Sequence, residues 1–108
     1  MKYLAIAIVP SLLGLATAAS ALTLICENPR REYAVIYEPG EREIIINPDS
    51  DNVRYPITVD DNGDATHKVT ASTPNGGPTA VLHLRPYLKF EYWSDGQLVQ
   101  TDGCYQPT

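Results

Sequence analysis

Beyond residue 21 the chain alternates apolar and polar residues in short runs, broken by turn-forming residues about every eight to twelve positions. Period-two alternation sends successive side chains to opposite faces of an extended backbone, so each run reads as a half-buried β-strand. Leu22 to Cys26 is the first. Glu32 to Glu38 (EYAVIYE) follows, with Tyr33, Val35 and Tyr37 on one face and Ala34 and Ile36 on the other. Glu38-Pro39-Gly40-Glu41 has Pro second and Gly third, as a type II turn requires. Arg42 to Asn47 (REIIIN) is the return strand, and its β-branched run is stiff and extended. Pro48 to Asn52 reads as a loop. Val53 to Val59 comes next, where Pro56 removes a ladder donor and predicts an edge or a bulge. Asp60-Asp61-Asn62-Gly63-Asp64 predicts a hairpin connection, because Asn-Gly accepts positive φ at low cost.

The second half repeats this logic. His67 to Ser72 is a short strand, and Thr73-Pro74-Asn75-Gly76-Gly77-Pro78 a loop. Thr79 to Arg85 and Tyr87 to Trp93 are strongly strand-like and are split by Pro86. In the latter, Leu88, Phe90 and Tyr92 share one face and Lys89, Glu91 and Trp93 the other. Ser94-Asp95-Gly96 turns the chain into Gln97 to Thr101, which leads to Cys104. Seven or eight strands with mostly short connections predict an all-β fold, a small antiparallel meander or an eight-stranded barrel.

The first 21 residues follow a different pattern. MKYLAIAIVPSLLGLATAASA has one Lys, an apolar run and then small residues in A-x-A spacing, which predicts a cleaved secretory signal ending after Ala18 or Ala21. Pro10 and Gly14 interrupt the run and no charge cluster follows, so a membrane anchor is the weaker reading. The expected domain is then 22–108, in the periplasm or outside a bacterial cell, without a stable membrane anchor. A chain of that size buries only about 60–65% of its unfolded surface.

Export gives the two cysteines their meaning. Cys26 and Cys104 stand near the two ends of the domain, and in an oxidising compartment they are expected to form a disulfide joining the terminal strands. The alternative of a lipid on Cys26 is disfavoured by Thr23-Leu24-Ile25, which lacks the small residue a lipobox places before its cysteine. Two cysteines and two histidines share no metal-ligand spacing, so neither a metal nor a cofactor is expected.

Charge narrows the partner. The chain has 8 basic and 13 acidic side chains; removing residues 1–21 takes away only Lys2, leaving 7 against 13, net −6. Such a chain does not suit a phosphate backbone, and nucleic acid is excluded as a partner. Asp60, Asn62 and Asp64 have the opening spacing of a calcium loop, but Ala65 and Ala71 stand where that loop needs Gly and Glu. A solvated acidic hairpin is expected instead. His67 and His83 are expected as surface strand residues, and no nucleophile sits in a catalytic context, so no enzyme activity is expected.

The most distinctive cluster is aromatic. Tyr87, Phe90, Tyr92 and Trp93 fall within seven residues, and Tyr105 follows Cys104. Both faces of that strand are aromatic, so part of the cluster is expected at the surface, where Tyr and Trp anchor recognition. The competing reading fills the barrel with one face and covers its open end with Tyr87 and Trp93. The segment Cys26…Tyr33-x-Val35-x-Tyr37 and the later Trp93-Ser94-Asp95-Gly96…Cys104 resemble the periplasmic and membrane-bound inhibitors of c-type lysozyme, with Asp95 in place of the Lys of that family's turn. That family's S-G-x-x-Y loop has no counterpart here, since Ser72 is followed by Thr73-Pro74-Asn75. The run from Gly76 to Cys104 also looks like a signature of its own, belonging to a group of small bacterial exported proteins.

The resemblance implies a binding or inhibitor module for a basic exported protein such as a c-type lysozyme. It would dock through loop 73–78 and turn 94–96, with Tyr92, Trp93, Asp95, Asn75 and Tyr87 as contact residues. An acidic module would be steered toward so basic a partner. The other reading is a structural or stress-related envelope protein without a specific macromolecular ligand.

Overall fold

Each extended run pairs with the next in sequence, and the last returns to the first. In the computed structural model, which describes residues 20–47, 53–73 and 76–107, the strands are β1 (Leu22–Asn28), β2 (Arg31–Glu38), β3 (Glu43–Ile46), β4 (Val53–Asn62), β5 (His67–Ser72), β6 (Thr79–Arg85), β7 (Lys89–Ser94) and β8 (Gln97–Tyr105). They form a closed antiparallel barrel in the order β1 to β8, and no helix occurs among the described residues. The expected all-β barrel is therefore the fold. The segment 1–19, read above as most of the signal, and loop residues 48–52 and 74–75 lie outside the described residues.

Closure depends on a short stretch. Ile25, Cys26 and Glu27 of β1 pair with Tyr105, Cys104 and Gly103 of β8. Cys26 and Cys104 face each other directly, their Cα atoms 4.0 Å apart, and are joined as the expected disulfide. A sheet closed on itself has no edges to recruit other chains.

The inner face follows the alternation of the sequence. Leu24, Val35, Ile44, Val69, Leu82 and Phe90 are buried in one cluster, and Tyr33 and Tyr37 flank Val35 on β2. Tyr55 of β4 and Tyr92 of β7 meet across the lumen, hydroxyl to hydroxyl at 2.6 Å, with ring centroids 6.4 Å apart. The two intervening strands contribute Ala71 and Ala80, both fully buried and directly paired, which project too little to keep the rings apart.

Two turns and two strand ends differ from the sequence reading. The β2–β3 connection closes through Glu41 N–H on Glu38 O and Arg42 N–H on Pro39 O, and the left-handed residue is Arg42 (φ 56°), not Gly40. A four-residue connection built on a type I turn, with its last residue left-handed, has replaced the type II turn. The acidic run 60–62 is not a loop. It extends β4, and the connection is Gly63 to Thr66, closed by Gly63 N–H on Thr66 O at 2.8 Å. Tyr87 precedes β7 rather than beginning it, and β8 runs on through Cys104 to Tyr105. Asp95 (φ 52°) and Gly96 (φ 76°) form the two-residue type I′ hairpin between Ser94 and Gln97, where the second position favours glycine.

The predicted irregularity near Pro56 is a register shift between Ile57 and Val59. Its effect is to reset the alternation: Val59 turns outward and Asp60 takes the inner face opposite Val69.

Two measurements check this account. Reducing the Cys26–Cys104 bond, whose cysteines are separated by 78 residues, is expected to cost about 4 kcal/mol in a denaturant titration. A loss below about 1 kcal/mol would mean that β1–β8 pairing alone closes the barrel. Ala80→Leu is expected to overpack the Tyr55–Tyr92 contact and cost about 1–3 kcal/mol; a neutral result would show slack in that layer.

Candidate functional site at one end of the barrel

Alternating strand direction sorts the connections into two groups. The β1–β2 turn (29–30), the β7–β8 turn (95–96) and the strand ends joined by the β3–β4 and β5–β6 loops all lie at one end. The β2–β3, β4–β5 and β6–β7 connections lie at the other. The two loops predicted to act together therefore share a rim.

They also share a groove. On the outer wall beneath that rim, Lys68, Thr70 and Thr79 face Glu91 and Trp93, and Gly77, Asp95 and Gly96 close the upper border of a shallow hollow of about 290 Å³. Trp93 is half-buried, and its indole N–H donates to Glu91 Oε1 at 3.1 Å, which fixes the ring against the wall. His83 Nε2 lies 3.3 Å from the same oxygen, and Lys89 Nζ is 3.8 Å from Oε2. Burial raises the Glu91 carboxyl, but the indole N–H and the neighbouring His83 and Lys89 outweigh it and hold the group below its ordinary range.

The predicted contact residues do not form one surface. Trp93 and Asp95 border the groove. Tyr92 points the opposite way, into the lumen, as adjacent strand residues must. Tyr87 is 77% exposed but sits in the β6–β7 connection at the far end. Asn75 lies outside the described residues. Of the described members of the proposed set, then, the fold brings together only Trp93 and Asp95.

The sequence reading missed two polar networks on the inner face. At the far end, Asp60 accepts from the Tyr37 hydroxyl at 2.5 Å and pairs with His67 Nε2 at 2.7 Å, and the His67 ring meets Tyr37 edge-on at 5.7 Å. His67 is thus a buried lumen residue, 5% exposed, and the expectation of a surface position is corrected. Its inner-face parity could have been read from Val69 and Ala71. Its partner Asp60 could not, because the register shift after Ile57 decides which way that side chain points.

At the rim end, β8 places Asp102 opposite Phe90 and Gln100 opposite Tyr92, so both face inward. Asp102 is 2% exposed. Its Oδ2 accepts from the Tyr33 hydroxyl, from Gln100 Nε2 at 2.8 Å and from Asn28 Nδ2 at 3.4 Å. Asn28 Oδ1 in turn accepts the backbone N–H groups of Arg30 and Arg31 at 2.9 and 3.2 Å, an Asx-type turn that shapes the hairpin tip. Together these residues line a cavity of about 660 Å³ at the mouth of the lumen. No group of three or more His, Cys, Asp or Glu among the described residues is arranged to hold a metal.

Comparison of the chain with protein-family models, with curated proteins and with solved structures finds no match.

Both networks hold phenols neutral. Burial, reinforced by the Asp102 carboxylate, pushes Tyr33 well above the ordinary phenol value of 10.0. Burial with Asp60 does the same to Tyr37, and burial with the Tyr92 hydroxyl to Tyr55. A folded-state pKa above the unfolded one means that the folded chain retains protons the unfolded chain releases. The stability this contributes is complete below the unfolded value and declines as pH rises past about 10. A thermal midpoint that falls above about pH 10 is expected, with tyrosinate absorbance from these three side chains appearing only as the barrel unfolds. Ionisation of every tyrosine near the ordinary value with the fold intact would contradict it.

Proposed function

We propose that this chain is an exported binding module of the cell envelope that docks on a basic protein through the rim carrying loop 73–78 and turn 95–96. The partner to test first is a c-type lysozyme. The observation that supports this reading most directly is that the two connections open from the same end and border one groove with Trp93 in its wall. A half-buried, hydrogen-bonded indole beside a rigid type I′ turn is preorganised, so it loses little side-chain freedom on binding. The net charge of −6 beyond residue 21 adds long-range attraction to a basic surface. Asp95, at the tip of the β7–β8 hairpin, carries one of those charges to the point of first contact.

The test uses the disulfide-bonded protein in molar excess over a c-type lysozyme. Inhibition of cell-wall lysis and retention on a lysozyme column are expected, and both weaken as salt rises. Trp93→Ala is expected to reduce affinity about tenfold or more while leaving the thermal midpoint nearly unchanged. Absence of both inhibition and retention would sink the lysozyme reading. A Trp93→Ala variant that loses stability without losing binding would remove the groove from the contact.

A further inference from the structure

The cavity at the mouth of the lumen shares no lining residue with the outer groove. Asp102 forms its floor. Asp102 is 2% exposed and faces inward, yet among the described residues no Lys, Arg or His forms an ion pair with it. Its side-chain donors among the described residues, a phenol and two amides, are all neutral and all fall on Oδ2. A carboxylate buried in this way keeps a strong attraction for an incoming cation.

The walls add to that attraction. Tyr33, Phe90 and Tyr92 surround the floor, with ring centroids 6.2 Å apart for Tyr33–Phe90 and 6.1 Å for Phe90–Tyr92. Aromatic faces are negative and favour cations. One face is already used that way, since the Arg31 guanidinium carbon lies 5.3 Å from the centre of the Tyr33 ring. At the mouth the sign reverses. Arg30 and Arg31, held in the hairpin tip by Asn28, line the entrance and present two positive charges. The volume of about 660 Å³ is that of a small-molecule site.

We propose that this cavity binds a small zwitterion, an amino acid or short peptide with an apolar body. Its ammonium group sits at Asp102 among the three rings, and its carboxylate lies at Arg30 and Arg31. A ligand with a carboxylate alone meets the buried Asp102 charge and is rejected. One with an ammonium group alone enters past two like charges and gains nothing from them.

The test titrates the disulfide-bonded, isotopically labelled protein with three probes that share a phenyl body: the dipeptide Gly-Phe, phenethylamine and 3-phenylpropionate. Saturable shifts at the amides of Asn28, Tyr33, Gln100 and Asp102 are expected with Gly-Phe, weaker binding with phenethylamine, and none with 3-phenylpropionate. Asp102→Asn is expected to weaken Gly-Phe binding about tenfold or more, as loss of a charged hydrogen bond predicts. Arg31→Gln, on an exposed residue, is expected to weaken Gly-Phe binding and to leave phenethylamine affinity unchanged or slightly raised, which narrows the advantage of Gly-Phe over phenethylamine. It tests the proposal even if Asp102→Asn fails to fold. Binding of 3-phenylpropionate as tight as that of Gly-Phe, an unchanged Gly-Phe affinity in either folded variant, or no saturable Gly-Phe binding to the unaltered protein would each overturn it. None of these outcomes depends on lysozyme, so this proposal and the docking proposal fail separately.

Discussion

Pairing of the first strand with the last is the constraint from which the remaining geometry follows. β1 and β8 meet over only three residue pairs, and the disulfide lies on the middle one. With so short a ladder, hydrogen bonds alone give a weak seam, and the covalent link fixes its register. That register sets the inner face of β8, because Cys104 opposite Cys26 carries Asp102 and Gln100 to the inside on the following alternations. Had the seam slipped by one residue, Thr101 and Gly103 would line the lumen and the Asp102 network would face solvent.

Closure also explains why both ends of the lumen are polar. A barrel of eight strands has a narrow interior that side chains fill, and its middle layer is satisfied here by aliphatic residues and the Tyr55–Tyr92 pair. Toward each end the lumen opens to water, and an apolar plug there would leave turn groups unsatisfied. The chain instead places one carboxylate near each end, Asp60 and Asp102, and gives each a phenol donor, Tyr37 and Tyr33, both from β2. β2 therefore spans the lumen as a single polar–apolar–polar rod, Tyr33-x-Val35-x-Tyr37, with its hydroxyls directed to opposite ends. At the far end, His67 completes the network and Arg85, donating to Gly63 O at 2.7 Å, ties the end of β6 to the β4–β5 connection.

Much of this architecture was legible in the chain. Tyr33, Val35 and Tyr37 on one face, the Asp95-Gly96 turn and the all-β class follow from alternation and turn chemistry acting locally, and the disulfide between terminal strands from the number and placement of the cysteines. What was not legible depends on register between strands. The acidic run 60–62 looks like a loop by composition, yet tertiary pairing with Val69, Lys68 and His67 keeps it extended. Gly40 looks like the left-handed residue of its turn, yet the spacing of Glu38 and Glu43 across the hairpin assigns that conformation to Arg42. Asp102 carries no local signal at all. Its burial arises from pairing with Phe90, and that pairing passes a bulge at Val99 that a period-two reading of QLVQT does not contain.

The aromatic cluster on β7 shows the same limit at the level of function. Composition alone favours treating Tyr92 and Trp93 as one surface patch, but a strand divides consecutive residues between its two faces. Phe90 and Tyr92 supply the walls of the lumen cavity, while Glu91 and Trp93 supply the wall of the outer groove. The question of whether the aromatics are core or surface therefore has no single answer: β7 is the partition between two hollows, and each takes alternate residues from it. The short backbone distance between them does not merge their chemistry. The inner one is defined by a buried carboxylate among aromatic rings. The outer one is defined by an indole fixed to a carboxylate beside an acidic turn. A sequence motif that spans both, such as Tyr92-Trp93-Ser94-Asp95, mixes residues whose side chains never share a solvent volume, which is why residue type and proximity along the chain could nominate the strand but not the site.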